Sequence, residues 1–144
     1  GVPHAVVLCE DIKQLDVERL GRWIRNHDRF APEGVNVDFV QVEDKGNLSV
    51  RTFEFGVEGE TLACGTGAVA SSIIVAMLYE WPTEYRNGQK AVNVGVKSGE
   101  TLGVRFVTED FTAIRDVCLD TKVTPVYDGT LDSEFFTGVS GNKG

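Results

Sequence analysis

The run Glu60-Thr61-Leu62-Ala63-Cys64-Gly65-Thr66-Gly67-Ala68 places a lone thiol among small residues at the point where a long apolar helix must begin. A cysteine can give or take a proton as thiol or thiolate, and a helix start favours the thiolate. The amide N–H groups of the first turn lack intrahelical partners and carry a partial positive charge of roughly half a unit. The same amides can hold a carboxylate, and Gly65 and Gly67 let a ligand approach the backbone. A buried cysteine is more often a small inert hydrophobe. The glycines tilt the reading toward chemistry, because an inert core cysteine needs no backbone approach on either side.

The elements that must position this thiol can be read from periodicity. Residues 61–79 carry no charge, and residues 68–79 are apolar on nearly every side, which predicts a central helix buried all round and ended at Trp81-Pro82. Its continuously apolar part is shorter than the roughly 20 residues of a membrane span. Residues 17–26 predict an amphipathic helix with Leu20, Trp23 and Ile24 on one face, Glu18, Arg19, Arg22 and Arg25 on the other, and Asp16 as N-cap. Alternation predicts strands over 4–9, 35–43 and 48–53, the last two joined as a hairpin through Asp44-Lys45-Gly46-Asn47. Further strands are expected over 91–96, 102–108, 113–119 and 123–127. Together these predict an α+β fold, a mostly antiparallel sheet curled around one buried central helix.

Composition narrows the partners. With 144 residues and 42% hydrophobic content the chain can bury one sizeable core, while a net charge of −8 argues against nucleic acid and anionic membranes. Cys9, Cys64 and Cys118 form no CxxC pair, and their odd number suits a reducing, cytoplasmic compartment. His4 and His27 have no zinc-like spacing, no metal is expected, and the opening is unlike a signal peptide. The only methionine is Met77, so Gly1 reads as an internal or processed position of a longer protein. Residues 1–131 are expected to form one domain and 132–144 a partly disordered tail, rich in Gly, Ser, Asn and Lys at its end.

Five collinear motifs carry a resemblance. Gly1-Val2-Pro3-His4, His27-Asp28-Arg29-Phe30, Gly34-Val35-Asn36-Val37, Arg51-Thr52-Phe53-Glu54 and Gly59-Glu60-Thr61-Leu62-Ala63-Cys64-Gly65-Thr66-Gly67 follow the order and spacing of the carboxy-terminal half of diaminopimelate epimerase, over nearly the whole chain. The resemblance implies one of two similar domains, each a sheet wrapped around a helix. It also implies inversion of an amino-acid α-carbon without a cofactor, with one cysteine contributed by each domain. Removing the weakly acidic α-proton needs a positioned base and stabilisation of the charge that develops on the carboxylate. On the resemblance Cys64 is that base or acid on one face, and the amides of Gly65 and Thr66 hold the α-carboxylate. His4 and Glu54 tune or orient the thiols, and Asn36 helps bind the far end of the amino-acid substrate. From the residues alone, His4 also suits a surface turn after Pro3, Asn36 a turn or edge, and Glu54 a solvated strand face.

Two positions depart from the family pattern. Val2 stands where asparagine is common, and Phe55 stands where arginine generally follows the glutamate. Phenylalanine has no donor, whereas a guanidinium grips a distal carboxylate bidentately. Either another residue compensates, the substrate differs, or this copy is impaired. The partner implied first is the missing amino-terminal domain with its own cysteine; Cys9 and Cys118 lack a glycine-flanked helix start. The oligomeric state stays open, a homodimer included. The alternatives are a related racemase or isomerase acting on another amino or dicarboxylic acid, and a non-catalytic domain that binds a carboxylate or a partner chain. An exposed apolar patch beside Cys64 is expected of half a two-domain enzyme.

Overall fold

The computed structural model of the chain describes residues 2–132. The elements run β1 (His4–Leu8), α1 (Val17–Arg25), β2 (Asn36–Asp44), β3 (Asn47–Glu54), β4 (Gly59–Glu60), α2 (Gly65–Leu78), α3 (Thr83–Arg86), β5 (Val92–Gly95), β6 (Thr101–Thr108) and β7 (Ile114–Asp120). One sheet has the order β1-β2-β3-β5-β6-β7, with β4 paired to β3. Four contacts are antiparallel, and β1/β2 and β3/β5 are parallel. A parallel pair needs a crossover, and here each has one, α1 for the first and α2 with α3 for the second. The helix α2 touches β1, β2, β3, β5, β6 and β7, so the sheet curls around it as expected. Its fourteen residues are the longest helical run, and among the described residues no helix is long and apolar enough to cross a membrane.

Strand alternation divides the interior in two. Val37, Phe39 and Phe53 point to the α1 side, where they pack with Ile12, Val17 and Val35. Val40 and Val50 point to the α2 side and join Ala68, Ile73, Val75, Ala76, Val92, Val104 and Phe106. Because side chains alternate, Asn36, Asp38 and Val40 share the α2 face of β2, and Val50, Thr52 and Glu54 share that of β3. The polar members of these strands therefore lie beneath the start of α2. In α1 the buried stripe is Val17, Leu20, Gly21 and Ile24, capped by Asp16 accepting the Arg19 N–H at 3.1 Å. A Cβ at Gly21 would press into the Phe53 side chain, so this glycine sets how closely α1 approaches the sheet.

Several expectations are corrected. Trp23 is 68% exposed rather than on the buried face of α1, because the stripe turns on Gly21. One flank of α2 is open, with Thr66 and Leu78 exposed and Val69, Ala70, Ile74 and Met77 half-buried, because the curled sheet covers only part of its circumference. The helix stops at Leu78, capped by Tyr79, with Glu80 at φ 48 and the Trp81 N–H on the Ala76 carbonyl; Pro82 instead precedes α3. Residues 123–127 form no strand. They follow β7, a wholly exposed strand at the end of the sheet order, and Pro125 has no N–H to add to a ladder. The seventh strand is instead the two-residue β4, too short to show a period. Of the expected tail, 133–144 lie outside the described residues.

Candidate active site

Cys64 is the N-cap residue of α2 and is buried at 8% exposure. It lines an open cavity of ≈ 550 Å³ with Glu54, Ala63, Gly65, Thr66, Val69, Val117 and Leu119. Four sequence-predicted residues thus meet in one space: Cys64, Gly65 and Thr66 from the first turn of α2, and Glu54 from the end of β3. The cavity rim is apolar. Val117 and Leu119 of β7 are exposed, and Leu119 lies so close to Gly65 that a Cβ there would come within 2.8 Å of its Cδ2.

His4 opens β1, and its side chain is 9% exposed, so it is no surface turn residue. Its Nδ1 lies 2.7 Å from Asp38 Oδ2, and its Nε2 lies 3.1 Å from Thr66 Oγ1. Thr66 Oγ1 in turn lies 3.6 Å from Cys64 Sγ. Asp38 is fully buried, and its other oxygen accepts the Thr52 hydroxyl at 2.7 Å. A buried carboxylate needs such partners, since desolvating an unpaired charge is costly. Gly67 is the third support. A Cβ there would sit inside van der Waals contact of Asp38 Oδ1 and 3.0 Å from its Cγ, so only glycine lets the carboxylate tuck under the helix.

The electrostatics of Cys64 differ from what a helix start alone suggests. Burial pushes the thiol up, against the hydrogen bonds with the Thr66 hydroxyl and the Gly67 N–H, and the carboxylates of Asp38 and Glu54 push it further up. Desolvation therefore outweighs these hydrogen bonds, and the net push on the thiol is upward, toward the protonated form.

Asn36 and Phe55 lie off the cavity. Asn36 is 4% exposed, and its Oδ1 accepts the Phe55 N–H at 2.8 Å, tying the end of β3 to the start of β2. Because β3 ends at Glu54, Phe55 leaves the strand rather than alternating with Phe53. Its ring, 39% exposed, packs under the Arg25 guanidinium, 4.5 Å from ring centroid to Cζ. Arg25 is itself paired with Glu58 at 2.9 Å. Phe53, by contrast, is fully buried in the α1 core. Sequence reasoning missed Asp38, Thr52 and the second role of Gly67. The available signal was parity: Asp38 and Thr52 are each two residues from a singled-out position, Asn36 and Glu54, and share their faces.

Two other motif residues hold the frame. The His27 ring accepts the Arg29 N–H at 3.1 Å, and Glu60 joins Arg51 at 2.6 Å and Lys97 at 2.8 Å while Arg51 also donates to the carbonyls of Ile12 and Leu15. Burial would raise the Glu60 carboxyl, but Arg51 and Lys97 hold it below the usual carboxylate range.

A family profile described as diaminopimelate epimerase matches residues 1–110. The chain is 44% identical over 137 residues to the diaminopimelate epimerase of Aquifex aeolicus (strain VF5), which covers 93% of the chain and 44% of that protein. It is 40% identical over 138 residues to the diaminopimelate epimerase of Hydrogenobaculum sp. (strain Y04AAS1), covering 94% of the chain and 46% of the relative. A third, from Chlorobaculum tepidum, is 40% identical over 134 residues, 91% of the chain and 47% of the relative. The chain spans about half the length of these curated relatives.

Proposed function

From the premise that this chain belongs to the diaminopimelate epimerase family, we propose that it is the carboxy-terminal domain of a cofactor-independent epimerase. On this proposal residues 1–131 are that domain, and the reaction is inversion of one α-carbon, LL- to meso-diaminopimelate, in lysine biosynthesis in the cytoplasm. The single observation that carries it is the meeting of the Cys64 thiol, the first turn of α2 and Glu54 in one open cavity. A carboxylate on the Gly65 and Thr66 amides would bring its α-carbon over the thiol, and the helix dipole would stabilise the charge that builds on that carboxylate as the proton leaves. Cys64, whose thiol burial pushes up, serves as the acid on its face, and its thiolate as the base in the reverse direction. Glu54 and His4 orient the exchange, while Asn36, off the cavity, acts on the far end of the substrate only indirectly, by holding the Phe55 N–H at the end of β3. The exposed Val117 and Leu119 beside the cavity favour cover by a second body. The amino-terminal domain is that partner on this reading, bringing the proton carrier for the opposite face.

The experiment has two arms read by chiral chromatography. The chain alone should leave diaminopimelate uninverted after long incubation at high concentration. Fused behind the amino-terminal half of the Aquifex aeolicus relative, it should invert the substrate, and Cys64→Ala should abolish that activity. Inversion by the chain alone, or a folded fusion that stays inert, overturns the reading. One observation favours a second reading, a racemase or isomerase for a different amino or dicarboxylic acid: Phe55 offers no donor and its ring is taken up by Arg25. An inert fusion that inverts another amino acid from a substrate panel would select it.

A further inference from the structure

We infer that Glu60, clamped by Arg51 and Lys97, is a positioning residue that fixes Cys64 at the head of α2 from the opposite side of the sheet. The inference rests on the proposed role of Cys64 as a proton carrier and adds Glu60, Arg51 and Lys97 as residues that act on the thiol through the backbone.

The segment that delivers the thiol has little else to hold it. Between β4 and α2 lie Thr61, Leu62, Ala63 and Cys64, with no helix or strand of their own. Leu62 is 66% exposed and Ala63 is exposed, so apolar burial does not seat them. The Thr61 hydroxyl is buried without a hydrogen-bond partner among the described residues and adds no side-chain anchor. The strand β4 pairs Glu60 with Phe53 and Gly59 with Glu54. A ladder of that length fixes little on its own.

Glu60 supplies the anchor. Because it stands opposite Phe53, its side chain lies on the α1 face of the sheet, diagonal to Arg51, whereas Glu54 and the Cys64 cavity lie on the α2 face. Its carboxylate, 5% exposed, accepts both arms of the Arg51 fork at 2.6 and 2.8 Å and Lys97 Nζ at 2.8 Å. Arg51 Nη1 donates onward to the carbonyls of Ile12 and Leu15, which braces the fork against the connection from β1 to α1. Lys97 lies in the turn between β5 and β6, where the Ser98 N–H donates to the Leu62 carbonyl at 2.9 Å. The backbone is gripped as well, the Glu60 N–H by the Glu18 carboxylate of α1 at 2.8 Å and the Thr61 N–H by the Thr52 carbonyl at 3.0 Å. One side chain thus ties the approach to Cys64 to three separate parts of the chain.

Charge makes the clamp specific. Burial would raise the Glu60 carboxyl, and the two cations reverse that. Removing the carboxylate leaves Arg51 and Lys97 without their shared acceptor. None of the three lines the Cys64 cavity, so they touch no substrate there, and their effect reaches the thiol through residues 61–63.

The test starts with the 144-residue chain. Brief iodoacetamide labelling and peptide mapping read Cys64, with the exposed Cys118 as reagent reference. Glu60→Gln should speed Cys64 labelling about tenfold, the size of one lost charge-assisted hydrogen bond. Lys97→Met, at a partly exposed pair, should speed it about threefold. Lys97→Arg, which keeps the cation, should retain the native rate. The opening is local, so these rates should stay flat across low urea, whereas access through global unfolding would climb with urea. Native rates in both Glu60→Gln and Lys97→Met, or acceleration that climbs with urea, overturn the proposal. If Glu60→Gln does not fold, Lys97→Met still decides. In the fusion with the amino-terminal half, Glu60→Gln should lower kcat about tenfold and leave KM within about twofold, because the amides of Gly65 and Thr66 belong to α2 and not to the clamped segment. A change confined to KM overturns the positioning role. An inert fusion with accelerated labelling would count against the epimerase reading alone, and an active fusion with native labelling in both variants against the clamp alone.

Discussion

Replacing Gly67 with alanine should destabilise the protein, although alanine is the better helix residue. In an unobstructed helix interior the change gains about 1 kcal/mol. Here the new methyl would overlap Asp38 Oδ1 and stand 3.0 Å from Cγ and 3.3 Å from Oδ2, inside the 3.5–4.0 Å typical of carbon contacts. Whether the neighbour can give way decides the sign. Asp38 is fully buried and pinned at both oxygens, by Thr52 and by His4, each at 2.7 Å. Swinging the carboxylate aside breaks at least one charge-assisted hydrogen bond, about 1.5–3 kcal/mol, and moving the helix instead costs a similar about 1–3 kcal/mol of overpacking. Set against the helix gain, the net loss is about 0.5–2 kcal/mol. Urea unfolding with an m-value near 2 kcal/mol/M should show it as a midpoint lowered by roughly 0.3–1 M. The background variant Asp38→Ala supplies the control: with the carboxylate gone, Gly67→Ala should become neutral or stabilising. A native-like midpoint for Gly67→Ala, or a cost that persists without Asp38, would refute the claim that this glycine exists to seat the carboxylate.

Three further outcomes follow from the same geometry. Iodoacetamide should label Cys118, exposed on β7, ahead of Cys64, which is buried and whose thiol burial pushes up; peptide mapping that finds Cys64 first would mean that the cavity admits the reagent freely and that the helix terminus outweighs desolvation. The Glu60 carboxyl is held low by Arg51 and Lys97, so its contribution to stability is complete above the unfolded carboxylate value of about 4.3 and is lost as pH falls through the lower folded value. Urea midpoints from pH 7 to pH 3 should therefore fall more steeply for the native chain than for Glu60→Gln, and parallel curves would remove Glu60 from the account. Phe55→Arg should lower stability by about 1 kcal/mol, because it deletes the stack beneath Arg25 and sets a second guanidinium beside the first; an unchanged midpoint would show that the stack contributes nothing.

Much of the fold was legible because it rests on period and punctuation. The alternation of Val35, Val37 and Phe39, the turn around Gly46, and the uncharged stretch after Cys64 each predict an element that the structure contains. What periodicity could not supply was partnership. Whether β1 meets β2 in parallel depends on α1 crossing over, and whether residues 123–127 form a strand depends on a neighbour to pair with, which neither an apolar pattern nor a proline decides alone. Trp23 shows the same limit: it lies beside the apolar stripe of α1, but the small Gly21 within the stripe fixes the contact with Phe53 and leaves the tryptophan outward.

The candidate site was legible at its ends and hidden in its middle, and the reason is burial of polar residues. Cys64 and the glycines advertise themselves because glycine flanking a thiol has few structural uses. Asp38 does not, since in the alternating segment Val35-Asn36-Val37-Asp38-Phe39 the apolar residues are naturally assigned to the core and the polar ones to solvent. In this fold both faces of β2 are covered, one by α1 and the other by α2, so the polar set is interior as well. A strand buried on both faces must satisfy its polar side chains internally, and here Thr52, His4 and the space left by Gly67 do so. Asp38, seated in this way, holds the His4 ring with its Nε2 beside the Thr66 hydroxyl at the start of the helix that carries the thiol. The buried carboxylate that an alternating pattern assigns to solvent is therefore the residue that fixes where the His4 ring stands beside the legible part of the site.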